Sequence, residues 1–201
     1  MTTAPTIGLI LAAGAARRMG RPKQLLPWKA TTLMGHAIQT LTQTEIKHCY
    51  VVVGAHAAAV RAEAERHGAK TLRHEGWTAG MGSSLRFGID HLVDHLDPSA
   101  VLVMLADQPF LSTGFLASLF AQRRKKPDRL VATAYPDGRV GVPAVFGRQH
   151  LAALRQLEGD SGARQLLNAA NSPVIRCAPP APNSLVDLDT PEKYAYWRAR
   201  G

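Results

Sequence analysis

Cysteine is scarce in this chain of 201 residues. Cys49 and Cys177 stand alone with no C-x-x-C pair, so neither a disulfide framework nor a cysteine zinc site is available. Both are expected as buried thiols in a reducing cytoplasm. No apolar run approaches the roughly 20 residues of a membrane-spanning helix. The first one, residues 7–12, leads into Arg17-Arg18 rather than a cleavage site, so no signal peptide is expected. H-E-x-x-H, G-x-S-x-G and a patterned cysteine–histidine pair are missing, which leaves covalent catalysis without a candidate. His91 and His95 have helical metal-ligand spacing but lie opposite the apolar face of Leu85, Ile89 and Leu92, so solvent exposure is expected over a zinc site.

Acidic residues are in the minority, 15 against 24 Lys and Arg, giving a net charge of +9. A positive field suits nucleic acid, and equally a nucleoside triphosphate with a phosphorylated co-substrate. The dense cluster Arg123-Arg124-Lys125-Lys126 falls at the end of an expected helix, where cations favour the dipole. No aromatic residue is interleaved with it, as a single-strand binder would require. Hydrophobic residues make up 46% of the chain, enough for a substantial core. With no repeat and no linker, residues 1–201 are expected to form a single domain.

Strand and helix signals alternate, which predicts an α/β domain with a largely parallel sheet. Strands are expected at residues 7–12, 49–53, 69–73, 101–106, 130–135, 141–146, 174–177 and 183–186. Helices are expected after a cap at Thr31 or Thr32, over residues 57–67, after a cap at Ser83 or Ser84, and over 112–126 and 148–157. Two more are expected, one through Arg164 and Leu167 and one opened by Pro191 and running to Arg200.

The first strand ends in Ala13-Gly14-Ala15-Ala16-Arg17-Arg18-Met19-Gly20-Arg21-Pro22-Lys23. Small residues let backbone N–H groups close on an anion, Arg17 can fork onto phosphate oxygens and Lys23 adds a movable charge. This polyphosphate cradle is neither G-x-x-x-x-G-K-[ST] nor G-x-G-x-x-G. Asp107 follows the most apolar strand, at the rim where ligands of open α/β sheets sit. Its alternative is a turn-capping role. Asp187 and Asp189, two residues apart in Val186-Asp187-Leu188-Asp189-Thr190-Pro191-Glu192, would face one cation if extended, or Asp189 would merely cap the last helix. Gly80-Met81-Gly82-Ser83-Ser84-Leu85 offers N–H groups and two hydroxyls.

From Leu11 to Pro27 the pattern L-A-A-G-x-x-x-R-M-G-x-x-K-x-L-L-P resembles the signature of MobA-like nucleotidyltransferases, and within them the molybdenum cofactor cytidylyltransferases of MocA type. The resemblance continues through L-A-D-Q-P at Asp107, Gly80–Leu85, and D-x-D-T-P-E at Asp187–Glu192. It implies one three-layer α/β/α domain with a mostly parallel Rossmann-like sheet, of the nucleotide-diphospho-sugar transferase type. It implies CMP transfer from CTP to the terminal phosphate of Mo-molybdopterin, with Mg²⁺ on Asp107 and, by preference over Asp187, Asp189. Lys193 stands where the family has another acid and is expected to face away from the metal. Arg17, Lys23 and Asp107 would be catalytic, with Leu11, Ala12, Ala13, Gly14, Gly80, Gly82, Ser83 and Ser84 completing the nucleotide site. Gly159-Asp160-Ser161-Gly162-Ala163-Arg164 resembles a MocA-branch segment and is attached to the acceptor through Asp160 and Arg164. Ala13 goes with CTP where the family's glycine goes with GTP. CTP and the molybdenum cofactor are the implied partners, with a molybdenum hydroxylase as recipient, and neither nucleic acid nor membrane. The alternatives are a GTP-using or sugar- or alcohol-phosphate transferase, and a non-catalytic module delivering nucleotide or cofactor.

Overall fold

The computed structural model describes residues 4–46, 48–160, 162–169 and 173–200. The chain opens with β1 (Thr6–Ala12), 3₁₀ turns at Arg17–Met19 and Lys23–Leu25, and a small hairpin of β2 (Pro27–Trp28) and β3 (Thr31–Thr32). Then follow α1 (Leu33–Thr42), β4 (His48–Val53), α2 (Ala57–Arg66), β5 (Lys70–Arg73), a 3₁₀ turn at Trp77–Ala79, and α3 (Met81–Leu96). The second half runs β6 (Ala100–Leu105), α4 (Thr113–Lys125), β7 (Leu130–Ala134), β8 (Val140–Gly147), α5 (Arg148–Leu154) and α6 (Gly162–Leu167). It ends with β9 (Val174–Cys177), a 3₁₀ turn at Pro182–Leu185, and α7 (Pro191–Arg198).

β1 is apolar on both sides, as a strand covered on both faces must be. Leu9 and Leu11 point to the layer of α3, α5 and α6, while Ile10 and Ala12 point to that of α1, α2 and α4. The sheet order is β5-β4-β1-β6-β8-β7-β9, and among these strands only β8 is antiparallel to its neighbours. This is the expected three-layer, mostly parallel Rossmann-like arrangement. The chain moves outward from β1 to β4 and β5, then returns through α3 to place β6 on the other side of β1. The order therefore reverses between β1 and β6, and a crevice opens beyond their carboxyl ends.

A third apolar cluster closes one wall of that crevice. Met19, Leu26, Trp28 and Leu33 pack with Leu188 and Tyr194, and the Tyr194 hydroxyl donates to Pro27 O at 2.6 Å. The stretch before α7 is thereby fastened to the loop after β1.

Several expectations are corrected. Where a strand is expected over residues 183–186, the chain forms a 3₁₀ turn, Pro182–Leu185: Pro182 opens it and brings no N–H to a ladder. α3 starts at Met81, ahead of the expected Ser83 or Ser84 cap. Gly80, with φ +111°, makes the break, and both hydroxyls donate back to Gly80 O. Thr32, Ser112 and Thr190 do cap α1, α4 and α7 through their hydroxyls. Cys49 is buried, its thiol pushed up to about 12 by burial, but Cys177 is only half-buried. His91 is half-buried rather than solvent-exposed, its ring 6.0 Å from Tyr50 and 4.4 Å from His95 between centroids.

Leu188 is fully buried between the crevice loop and α7. Leu188→Ala should cost about 2–5 kcal/mol through the cavity it leaves, measured as a lower urea midpoint at unchanged slope.

Candidate active site

The loop after β1 bends through Ala16 in the left-handed region, φ 50°, and closes its first 3₁₀ turn at Gly20, φ 69°. Gln24, itself buried, donates to Ala12 O at 2.8 Å and Gly14 O at 3.3 Å, which holds the loop from beneath. Ala55 N donates to Ala13 O at 2.9 Å and ties the loop to the end of β4. Beside it lies a cleft of about 410 Å³. Leu11, Ala12, Ala13, Gly14, Arg17 and Lys23 line its near wall. Gly80, Ser84, Asp107 and Asp160 face it from α3, β6 and the loop before α6, joined by Gln24 and Trp77, which the motifs had not singled out. Gln24 had a signal, an amide beside Lys23 on a buried stretch. Trp77 had none in its spacing.

Gly82 and Ser83 sit behind the cleft. Gly82 N donates to Gly159 O at 2.8 Å, and a side chain at Gly82 would meet that oxygen at 2.6 Å. Ser83 Oγ donates to Gly80 O at 2.9 Å and lies 3.1 Å from His74 Nε2. Asp160 Oδ1 accepts the Met81 N–H at 3.3 Å, so it serves the start of α3. A Cβ on Gly80 would collide with that same carboxylate. Ser161 of this segment lies outside the described residues. Asp160 and Arg164 both line a second cleft, of about 440 Å³.

The electrostatic centre is Lys23. Its Nζ donates to Asp107 Oδ2 and to Asp189 Oδ1, the latter at 2.6 Å. Arg18 donates to the other Asp189 oxygen at 3.0 Å. Burial works against the ammonium, but Asp107 and Asp189 outweigh it and hold the Lys23 pKa above the ordinary lysine value. Burial likewise works against the Asp189 carboxylate, yet Lys23 foremost, with Arg18 and Lys193, holds its pKa below the usual range. Lys193, expected to face away, therefore still contributes to this field. Thr190 caps α7, which leaves Asp189 to these cations.

Asp187 and Asp189 do not share one direction, because the chain there is not a strand. Asp187 Oδ1 accepts from Gln108 Nε2 at 2.9 Å and lines the second cleft. The same Gln108 amide donates to Tyr135 Oη at 3.1 Å, and that hydroxyl donates to Val142 O at 2.7 Å. Burial, then the nearby charge of Asp107, pushes the Asp187 carboxyl up to about 6. Backbone completes the join, Leu188 N donating to Asp107 O at 3.0 Å.

The donor set fits a hard divalent cation. Asp107 Oδ1 is buried with no hydrogen-bond partner among the described residues, and its other oxygen shares a cation with Asp189. No three His, Cys, Asp or Glu side chains among the described residues form a ready cage.

Residues 8–174 match the MobA-like NTP transferase domain family. The chain is 36% identical over 172 residues to a protein named nicotine blue oxidoreductase of Paenarthrobacter nicotinovorans, covering 80% of each. The crystal structure of Rv0371c from Mycobacterium tuberculosis H37Rv superposes with a TM-score of 0.83 at 29% identity, covering 99% of this chain and 100% of that one. A second structure of that protein, in complex with manganese, covers 98% of this chain and 100% of its own, with a TM-score of 0.77 at 28% identity.

Lys23→Met should destabilise the fold by about 3 kcal/mol in urea unfolding, since it strands a buried Asp107 carboxylate. Adding Asp107→Asn should recover part of that loss. Asp187 supplies a pH test. Its folded value lies above the ordinary 3.8, so between about pH 4 and 6 the folded state holds a proton that the unfolded chain has released. Stability falls as pH rises through that window and stays depressed above it. Asp187→Asn should therefore be more stable than wild type at about pH 7.5, by on the order of 2 kcal/mol, with the gain gone near pH 4.

Proposed function

The chain belongs to the MobA-like NTP transferase family, and on that premise we propose that it transfers CMP from CTP to the terminal phosphate of Mo-molybdopterin. An acceptor phosphate oxygen attacks the α-phosphorus of CTP, and the bond from that phosphorus to the bridging oxygen of the β-phosphate breaks. The products are the cytosine dinucleotide of molybdopterin and pyrophosphate. The observation that carries this reading is the convergence of Lys23, Asp107 and Asp189 beside the cleft at the β1–β6 reversal.

The attacking phosphate is already an anion, so the chain needs no strong base. The obstacle is repulsion between that anion and the triphosphate. Asp107 and Asp189 would hold a Mg²⁺ ion, whose charge offsets this repulsion, and the manganese complex of the mycobacterial relative supports a divalent ion here. Arg17 forks onto the triphosphate, and the flexible stem of Lys23 lets its ammonium exchange carboxylate for pyrophosphate oxygens. Leu11, Ala12, Ala13 and Gly14 receive the nucleotide along the end of β1, while Gly80 and Ser84 border it from α3. Gly82 and Ser83 hold that loop from behind. Asp160 and Arg164 serve the acceptor. Residues 1–201 then act as one cytoplasmic domain that hands its product to a molybdenum hydroxylase.

The test is pyrophosphate release with each NTP, with and without molybdenum cofactor. Release that depends on CTP and the cofactor is expected. Release with GTP instead, or with a sugar or alcohol phosphate, would assign a different transferase, and its absence with every pair would favour a carrier. Asp107→Asn should bind CTP within about tenfold of wild type while its rate falls on the order of 10²–10³. Ala13→Gly should relax the preference for CTP over GTP, a methyl group being worth about 1–3 kcal/mol.

A further inference from the structure

Two acids and two cations meet between the end of β6 and the approach to α7. Lys23 Nζ donates to Asp107 Oδ2 and, at 2.6 Å, to Asp189 Oδ1, so the ammonium stands between the acids. A single metal ion bridging both carboxylates would take the same place, and two cations in contact repel too strongly to share it. Arg18 holds the other Asp189 oxygen at 3.0 Å from outside. The two acids carry two negative charges and these side chains two positive ones, the balance that one divalent ion would restore in their stead.

The two contacts differ in depth. The Lys23, Asp107 and Asp189 side chains are 22%, 8% and 21% exposed, whereas Arg18 is 73% exposed. Water and salt screen the outer contact far more than the inner one. Lys23 is also an incomplete occupant. Asp107 Oδ1 stays buried without a hydrogen-bond partner among the described residues, and such an oxygen costs its full desolvation. The contact therefore holds, yet it leaves an acceptor that a better-coordinated cation would satisfy.

The moving part is the side chain. Gln24 fastens the backbone beside it by donating to Ala12 O and Gly14 O, so release of the ammonium needs only rotation of the four-carbon stem. Lys23 and Arg17 line the same cleft wall, which puts an arriving anion next to the ammonium.

We propose that Lys23 is a built-in substitute for the divalent cation, barring the metal from Asp107 and Asp189 until an anionic ligand in the cleft draws the ammonium away. This rests on the metal assignment of the transferase reading and adds an order to it: the metal enters with the polyphosphate or after it, never before. The nucleotide-free protein is thus self-inhibited toward metal, its affinity reduced to the fraction of molecules in which the lysine has swung out. By reciprocity, an anion that occupies Lys23 raises the affinity for the ion, and the ion raises that for the anion. Arg18 is an outer clasp of the same lock.

The experiment is titration of the nucleotide-free protein with Mn²⁺, read by the electron paramagnetic resonance of the free ion. Lys23→Met should bind Mn²⁺ at least about tenfold more tightly than wild type. Mn²⁺ should also raise its urea midpoint more than that of wild type. Lys23→Gln, which keeps an amide donor toward the acids, should show the same gain and decides the matter if the methionine variant does not fold. Adding Asp107→Asn to either should remove most of the gain, while Arg18→Ala should change affinity by no more than about threefold. Equal affinity in wild type and the lysine variants, or a gain that survives Asp107→Asn, would overturn the lock and leave the transferase reading standing. Undetectable Mn²⁺ binding in every variant would overturn the lock together with the metal assignment. Absence of pyrophosphate release with every substrate pair would remove the transferase reading alone, because these titrations contain no nucleotide.

Discussion

Everything at the reversal point depends on one ammonium group held between two carboxylates. Lys23 belongs to the loop after the first strand, Asp107 to the end of β6, and Asp189 to the approach to the last helix. A lone buried carboxylate at Asp107 would be costly in this setting, and so would an unpartnered ammonium. Together they are tolerable, and the requirement that they meet fixes three distant segments relative to one another. Apolar packing enforces the same meeting from outside, with Leu188 and Tyr194 against Met19, Leu26 and Trp28. Backbone does so from inside, where Leu188 N reaches Asp107 O.

The consequence is a charge balance poised for an anionic ligand. Two cations of the cradle, Arg18 and Lys23, are spent on carboxylates in this state, while Arg17 stays exposed on the cleft wall. In the proposed reaction, incoming phosphate oxygens would compete for Lys23, and a divalent ion would be the natural replacement counter-charge for the acids so released. The pair is thus a structural tie here and, in the proposed reaction, would become a source of charge.

Close backbone packing links the two clefts. Gly80 and Gly82 lie against Gly159 and Asp160 so tightly that a Cβ at either would overlap that loop. A shift of the loop that borders the first cleft therefore has to move the loop that borders the second. Gln108 works in the same direction one layer deeper, its single amide joining Asp187 to Tyr135 behind Asp107. The two clefts are mechanically one unit, which suits the proposed reaction, whose two substrates must be aligned within a fraction of an ångström.

Local chemistry was enough to read the alternating strands and helices, the buried β1, the small-residue cradle, and Asp107 at the rim, because each rests on neighbours in the chain. The apolar run of 101–106 and the turn at Gln108-Pro109 leave a carboxylate at a strand end wherever the rest of the chain goes. Tertiary structure decided what could not be local. It parted Asp187 from Asp189 by giving one to Gln108 and the other to Lys23, where their spacing in an extended chain implied one direction. It turned Ser83 and Gly82 to the back of the cleft, and gave Asp160 to α3 across the site. Tyr135 and Asn168 carry no motif, since their value lies in bonds to Gln108 and Val140, 27 and 28 positions away. Periodicity and turn chemistry act over a few residues. Which cation faces which carboxylate is set only once the sheet has brought the ends of β1 and β6 together.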